Sequence, residues 1–198
     1  MDRLFDLIVG APKSGKSTFA AKVIKQYKQN VIIVKHTSNI NDDTHAFLTE
    51  KTMDNWRQGA APGQFVKCKM AFDEKSDYLP FLEWVKQHYR YGLLIIDDAT
   101  IFEDYKMSKP LKNIVSMRRH YKLSVVLIYH GFMACPIDQF IFANRLIIFN
   151  CNDNITRKKD RIPKFTQVER AIEMSKRNYM SANPKVKYRP TIVDITSI

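Results

Sequence analysis

The sequence predicts an α/β fold in which helices cover both faces of a mostly parallel β-sheet, forming a three-layer α/β/α sandwich. Short runs of consecutive apolar residues alternate along the chain with segments of helical periodicity. Uninterrupted apolar runs are typical of parallel strands, because such strands are buried on both faces. Strands are predicted at 4–9, 31–34, 64–70, 92–96, 123–129, 145–149 and 191–195.

The segments between these strands carry apolar residues at helical spacing. In the first of them, Ala20, Val23 and Ile24 fall on one face of a helix. Helices are predicted at 16–28, 77–89, 108–120, 136–143 and 166–176. The polar segment 37–63 is predicted to be a loop with short helical pieces, because turn-forming residues interrupt it.

Length and composition indicate one domain. The chain has 198 residues, of which 45% are apolar, enough for a single core. We expect one domain over 1–198, with a core at 1–150 and an extension at 151–198 that packs on the core.

The chain is strongly basic, with 32 Lys+Arg against 20 Asp+Glu and a net charge of +12. A surplus of this size favours a polyanionic partner, nucleic acid first, although a solvated basic surface remains the alternative. The three cysteines are odd in number, far apart and include no CxxC pair, so neither a disulfide framework nor a zinc site is indicated. No apolar run approaches the ~18 residues of a membrane span, so we expect a soluble protein inside a cell or an assembly.

A phosphate-binding motif follows the first predicted strand and opens the first helix. It consists of Gly10, Ala11, Pro12, Lys13, Ser14, Gly15, Lys16 and Ser17, followed by Thr18. The spacing G-x-x-x-x-G-K-[ST] lets backbone amides turn toward a phosphate, while Lys16 contributes charge to the β- and γ-phosphates. Ser17 offers a hydroxyl to Mg²⁺, and Thr18 supports the α-phosphate. The motif predicts a P-loop site for ATP, or a close relative of ATP, with Mg²⁺.

The predicted strand 92–96 ends in two carboxylates, Asp97 and Asp98. Asp97 fits the role of organising Mg²⁺ through a bound water, and Asp98 could orient and polarise the attacking water. The alternative is that these acids only cap the following segment.

Basic and polar residues flank the next strand. Arg118, Arg119 and His120 close the helix before it, where they either balance the helix dipole or supply an arginine finger to a neighbouring subunit. We choose Arg119 for the finger, because Arg118 shares its spacing with apolar positions. Tyr129 and His130 end the strand, at the edge where ligands bind, and His130 could sense the γ-phosphate or be purely structural.

The order of these motifs resembles the FtsK/HerA-like genome-packaging ATPases of icosahedral viruses, over about 4–149. The segments that carry the resemblance are the phosphate loop, 95–98, the pair Arg119-His120, 124–130 and 144–149. The family's sensor is usually a glutamine, whereas this sequence has Tyr129-His130 at the matching place.

The resemblance implies a RecA/ASCE-like strand order, with the sensor strand between the phosphate-loop strand and the acidic strand. It further implies a homo-oligomeric ring, a pentamer or hexamer, that hydrolyses ATP to drive double-stranded DNA into a preformed capsid. Its partners would be capsid or portal-vertex proteins. The protein would be located in the host cytoplasm or in the virion. The basic residues Lys106, Lys109, Lys112 and the run 157–161 are candidates for DNA contact.

Two alternatives share the phosphate loop. A small-molecule kinase, acting on a nucleoside or nucleotide, would be expected to have an arginine-rich lid around an acceptor pocket, and the run 157–161 could be mistaken for such a lid. A regulatory switch would bind nucleotide to control a partner without translocation.

Overall fold

A continuous β-sheet runs through a computed structural model of the chain, which describes residues 3–39, 45–49, 53–54 and 67–196. Eight strands of the described residues form it, in the order β3-β4-β2-β5-β6-β1-β7-β8. All neighbouring strands are parallel except β7 and β8, which are antiparallel. The strands are β1 Phe5–Val9, β2 Asn30–His36, β3 Ala46–Phe47, β4 Lys67–Phe72, β5 Gly92–Ile96, β6 Leu123–Tyr129, β7 Arg145–Ile148 and β8 Thr191–Asp194.

Helices connect these strands. The α-helices among the described residues are α1 Lys16–Gln26, α2 Lys75–His88, α3 Lys109–Ser116, α4 Arg118–Tyr121, α5 Ile137–Phe142, α6 Phe165–Tyr179 and α7 Pro184–Lys187. In the ranges that the structure describes, two 3₁₀ segments lie at Thr37–Asn39 and Thr156–Arg161. In the described part of the chain, no helix is both long enough and apolar enough to cross a membrane.

Two hydrophobic clusters pack on opposite faces of the sheet. Successive residues of a strand point to opposite faces, so Leu7 and Val9 join the larger cluster while Ile8 joins the smaller one. The smaller cluster also contains Ala20 and Ile24, the predicted apolar face of α1. Both faces are therefore covered, and the predicted three-layer α/β/α fold is confirmed.

The strand order places the three motif-bearing strands side by side. β6 pairs with β1 on one side and with β5 on the other, all in parallel. The carboxyl ends of these strands therefore meet at one edge, where Val9 lies opposite Tyr129. The expected position of the sensor strand, between the phosphate-loop strand and the acidic strand, is confirmed.

Several elements differ from those predicted. The segment 37–63 lies largely outside the described residues, as do residues 64–66 of a predicted strand. Within it, residues 46–47 form the strand β3, which pairs with β4 and is too short to show any periodicity. The predicted helix 108–120 divides at Met117 into α3 and α4. The helix α7 was not predicted, since four residues form barely one helical turn.

Candidate nucleotide site

The phosphate loop connects β1 to α1 in a conformation that requires its glycines. Gly15 has φ +102°, in the left-handed region that favours glycine. Gly10 is required by close packing, because a Cβ there would lie 2.6 Å from the Cβ of Phe149. Lys13, also left-handed at φ 61°, helps to turn successive amides inward. These backbone angles are compatible with the nest of amides that the motif predicts at the start of α1.

The loop is anchored between the ends of two strands. The amide of Gly10 donates to the carbonyl of Tyr129 at 3.3 Å, and that of Ala11 to the carbonyl of Asn150 at 2.7 Å. Within the loop, the hydroxyl of Ser14 is buried and has no hydrogen-bond partner. A buried polar atom without a partner is costly, and a phosphate oxygen would satisfy it. The loop therefore fits a bound phosphate chain.

Lys16 lies folded into the loop, with only 5% of its surface exposed. Its Nζ donates to the carbonyls of Gly10 at 2.6 Å and Ala11 at 2.8 Å. Burial lowers the pKa of Lys16, and the charges of Asp97 and Asp98 partly offset that effect. The ammonium group is thus held beside the site that the motif assigns to the β- and γ-phosphates.

The two acids at the end of β5 lie at the same edge. The amide of Asp97 donates to the carbonyl of Val34, and its carboxyl group has a pKa raised by burial, partly offset by Lys35. Asp98 has a left-handed backbone, with φ 56°, and its carboxylate lies 3.3 Å from Nε2 of His130. Carboxylate and hydroxyl oxygens are ligands that Mg²⁺ prefers, so Asp97 and Ser17 fit the predicted metal.

His130 bridges the phosphate loop and the acids. Its Nδ1 lies 3.5 Å from Nζ of Lys16, and its Nε2 faces Asp98. Tyr129, by contrast, is fully buried, and its hydroxyl accepts a hydrogen bond from Nε2 of Gln139 at 2.6 Å. Of the two residues at the position of the sensor, only His130 therefore faces the site.

The structure does not bring Arg119 to this edge. The helix α4 precedes β6, whose seven residues separate it from His130 by about 20 Å. Arg119 is exposed, whereas Arg118 donates hydrogen bonds to the carbonyls of Arg3 and Val115 and to Oδ1 of Asn144. Arg119 can therefore act only on the nucleotide of a neighbouring copy, and this role stays a prediction.

A cavity of about 810 Å³ lies over the loop. Besides predicted residues, such as Asp97 and His130, its walls contain residues that the sequence analysis did not identify. Those residues are Phe19, Lys22, Pro184, Lys185, Tyr188, Arg189 and Pro190. A strand at 191–195 was predicted, but nothing in its sequence gave its antiparallel direction, which brings the preceding segment to the loop.

One member of the basic run 157–161, Lys158, does not have the role in DNA contact that was expected of the run. Lys158 is buried, and its Nζ donates to the carbonyls of Phe132 at 2.7 Å, Met133 at 3.2 Å and Cys135 at 2.8 Å. Its expected contact with DNA is therefore wrong. Lys158 instead anchors the loop that follows His130, because a buried ammonium group needs acceptors.

The fold and the loop together define the class: a P-loop α/β fold in which β6 lies between the phosphate-loop strand β1 and the acidic strand β5. No protein-family model matches the sequence, and no curated protein sequence matches it.

Solved structures are similar over almost the whole chain. The genome packaging NTPase B204 from Sulfolobus turreted icosahedral virus 2, in complex with ATP-gammaS, has a TM-score of 0.69 and 22% identity. That similarity covers 98% of this chain and 94% of that chain. The AMP complex of B204 has a TM-score of 0.70 and 21% identity, with the same coverage. B204, the DNA-packaging ATPase from Sulfolobus Turreted Icosahedral Virus, has a TM-score of 0.72 and 17% identity, covering 98% and 93% of the two chains.

Proposed function

We propose that this chain is an ATP-hydrolysing translocase that drives double-stranded DNA into a preformed viral capsid. One observation carries the proposal: its fold is shared over 98% of the chain with B204, a genome packaging NTPase and DNA-packaging ATPase. The residues at the carboxyl edge of the sheet supply the groups that hydrolysis needs. In this proposal the chain works as a homo-oligomeric ring in the host cytoplasm, against capsid or portal-vertex proteins.

Phosphate binding would begin at the loop. The inward-facing amides and the start of α1 attract the triphosphate, as a helix N-terminus does for any anion. Lys16 would exchange the carbonyls of Gly10 and Ala11 for the β- and γ-phosphates, which are stronger acceptors. Ser17 and Asp97 would hold Mg²⁺, whose charge offsets the negative charge on the phosphates.

Asp98 and His130 would position the attacking water. The ammonium group of Lys16 can only donate, so Nδ1 of His130 accepts and Nε2–H donates to Asp98. With its ring nitrogens used in this way, His130 holds the carboxylate of Asp98 in a fixed orientation. When Lys16 turns to the phosphates, Nδ1 is released at the place where a γ-phosphate and its water would lie.

The DNA contact would lie on the segment that leaves the acidic strand. Exposed lysines follow Asp98 along the chain: Lys106 in the connection, and Lys109 and Lys112 on α3. Tyr105, beside Lys106, is 96% exposed. These lysines lie on a segment that begins at the proposed hydrolysis site. They can pair with DNA phosphates, and their position can change with the nucleotide that is bound.

The test is the rate of ATP hydrolysis with and without double-stranded DNA. We expect DNA to stimulate hydrolysis, and Lys16→Ala to abolish both ATP binding and turnover. Binding of DNA should weaken steeply as salt rises, because phosphate contacts release counterions. The double variant Lys109→Ala/Lys112→Ala should reduce DNA affinity. Its matched control, Lys25→Ala/Lys28→Ala, removes the same charge from α1 and the residues after it and should change affinity less.

Other outcomes would point to the alternatives. Hydrolysis that requires a small phosphate acceptor and ignores DNA would indicate a kinase, and slow turnover by a monomer would indicate a regulatory switch. The run 157–161 does not favour the kinase, since Lys158 within it is buried against backbone carbonyls and cannot reach an acceptor pocket.

A further inference from the structure

We propose that the segment 184–190 forms the base-binding wall of the nucleotide site, with the ring of Tyr188 as the surface on which the base stacks. The proposal rests on the proposed function only in requiring that the chain bind a nucleoside triphosphate.

The strand order separates the two ends of the cavity. β1, which leads into the phosphate loop, lies between β6 on one side and β7 on the other. Asp97 and His130 follow β5 and β6, so the groups for hydrolysis lie on the β6 side. A triphosphate held in the loop points its γ-phosphate toward these groups. Its base must then lie on the β7–β8 side.

The antiparallel direction of β8 brings the segment 184–190 to that side. Thr191, the first residue of β8, pairs with Ile148, the last residue of β7. Residues immediately before β8 therefore lie at the same edge of the sheet as the phosphate loop. Pro184, Tyr188 and Pro190 line the same cavity as Asp97 and His130.

Tyr188 is held against the loop with part of its surface free. A Cβ added at Gly15 would lie 3.2 Å from Cβ of Tyr188, so the side chain begins in contact with the loop. Tyr179 packs edge-on against the Tyr188 ring, with 6.5 Å between ring centroids, and Nζ of Lys187 lies over it at 5.9 Å. Tyr188 nevertheless remains 47% exposed. A positioned aromatic ring with an open surface suits a nucleobase.

The segment also adds positive charge to this wall. Lys185 and Arg189 are exposed and line the cavity together with Lys22 of α1. The segment is held in place by Asn183, whose side chain accepts from the amide of Lys185, and by Asn178, which donates to the carbonyl of Arg189. The cations complement the triphosphate, while the ring of Tyr188 distinguishes a nucleoside triphosphate from a bare phosphate chain.

The experiment compares the binding of ATP with that of inorganic tripolyphosphate, which has the phosphates but no base. We expect Tyr188→Ala to weaken ATP binding by about tenfold or more, the usual effect of losing a base–aromatic stack. Binding of tripolyphosphate should stay unchanged, and Tyr188→Phe should bind ATP as the parent does. Tyr91→Ala, at an exposed tyrosine outside the cavity, is the matched control.

The controls separate failure of this proposal from failure of the proposed function. Lys16→Ala should weaken the binding of both ligands. If the parent protein binds neither ligand, the assignment of the nucleotide site is itself wrong. If Tyr188→Ala loses the same factor of affinity for ATP and for tripolyphosphate, the residue only supports the loop. That result would overturn the base-stacking role. Unchanged ATP binding in that variant would overturn it as well.

Discussion

The anchor formed by Lys158 allows a prediction that links stability to hydrolysis. Lys158→Met keeps most of the side-chain volume but removes the ammonium group, which donates to three carbonyls of the loop after His130. Those carbonyls would lose their donor in a buried place. The loop 131–135 should loosen, and His130 at its start should lose its position relative to Asp98.

The size of the effect can be worked out from these contacts. A net contribution of about 1 kcal/mol for each of the three hydrogen bonds gives about 3 kcal/mol. Burial also lowers the pKa of Lys158, so removing the ammonium group relieves some desolvation cost. We therefore expect a loss of about 2 kcal/mol, which lowers the melting temperature of a chain this long by roughly 4–8 °C.

Thermal unfolding and steady-state ATP hydrolysis would measure the two consequences. The kcat of Lys158→Met should fall between about tenfold and a hundredfold while ATP affinity changes little, because only the group that positions water moves. The control, Lys159→Met, removes the neighbouring exposed charge and should change stability by less than about 0.5 kcal/mol. Equal stability and kcat in the two variants would refute the anchoring role.

Two further predictions concern the acidic strand and the trans arginine. Burial raises the pKa of Asp97 above 3.8, so the folded state binds its proton more tightly and loses stability as pH rises through the raised pKa. Asp97→Asn should stabilise the nucleotide-free chain at pH 7 by about 1 kcal/mol and flatten this pH dependence in thermal unfolding, while abolishing hydrolysis. Arg119→Ala should bind ATP normally yet turn it over about 10³-fold more slowly, whereas Arg118→Ala should mainly reduce stability. Normal turnover in Arg119→Ala would exclude the finger.

Local motifs made one half of the candidate site predictable. The residues of the phosphate loop have a fixed spacing, and Asp97 and His130 each come directly after an apolar run. The carboxyl ends of parallel strands share an edge, so these groups could be placed together without coordinates. The order of the strands in the sheet was predicted separately, from the resemblance to packaging ATPases.

The other half depends on tertiary structure that has no local pattern. β8 has four residues, Thr191–Asp194, and nothing in so short a strand specifies its direction. Without that direction Tyr188 could not be placed near Gly15. Lys158 was misjudged for a similar reason, because a lysine within a basic run looks solvated until the loop that buries it is known.

The antiparallel pairing of β7 and β8 has a consequence for how the chain folds. The two sides of the cavity come from residues far apart in sequence, Gly15 in the loop and Tyr188 just before β8. Contacts of such long separation form late, since a large loop must close before they stabilise anything. A chain emerging from the ribosome would therefore expose the residues of its phosphate loop early but could not retain a nucleoside triphosphate firmly until β8 had joined the sheet. Tight nucleotide binding would thus report that folding is finished.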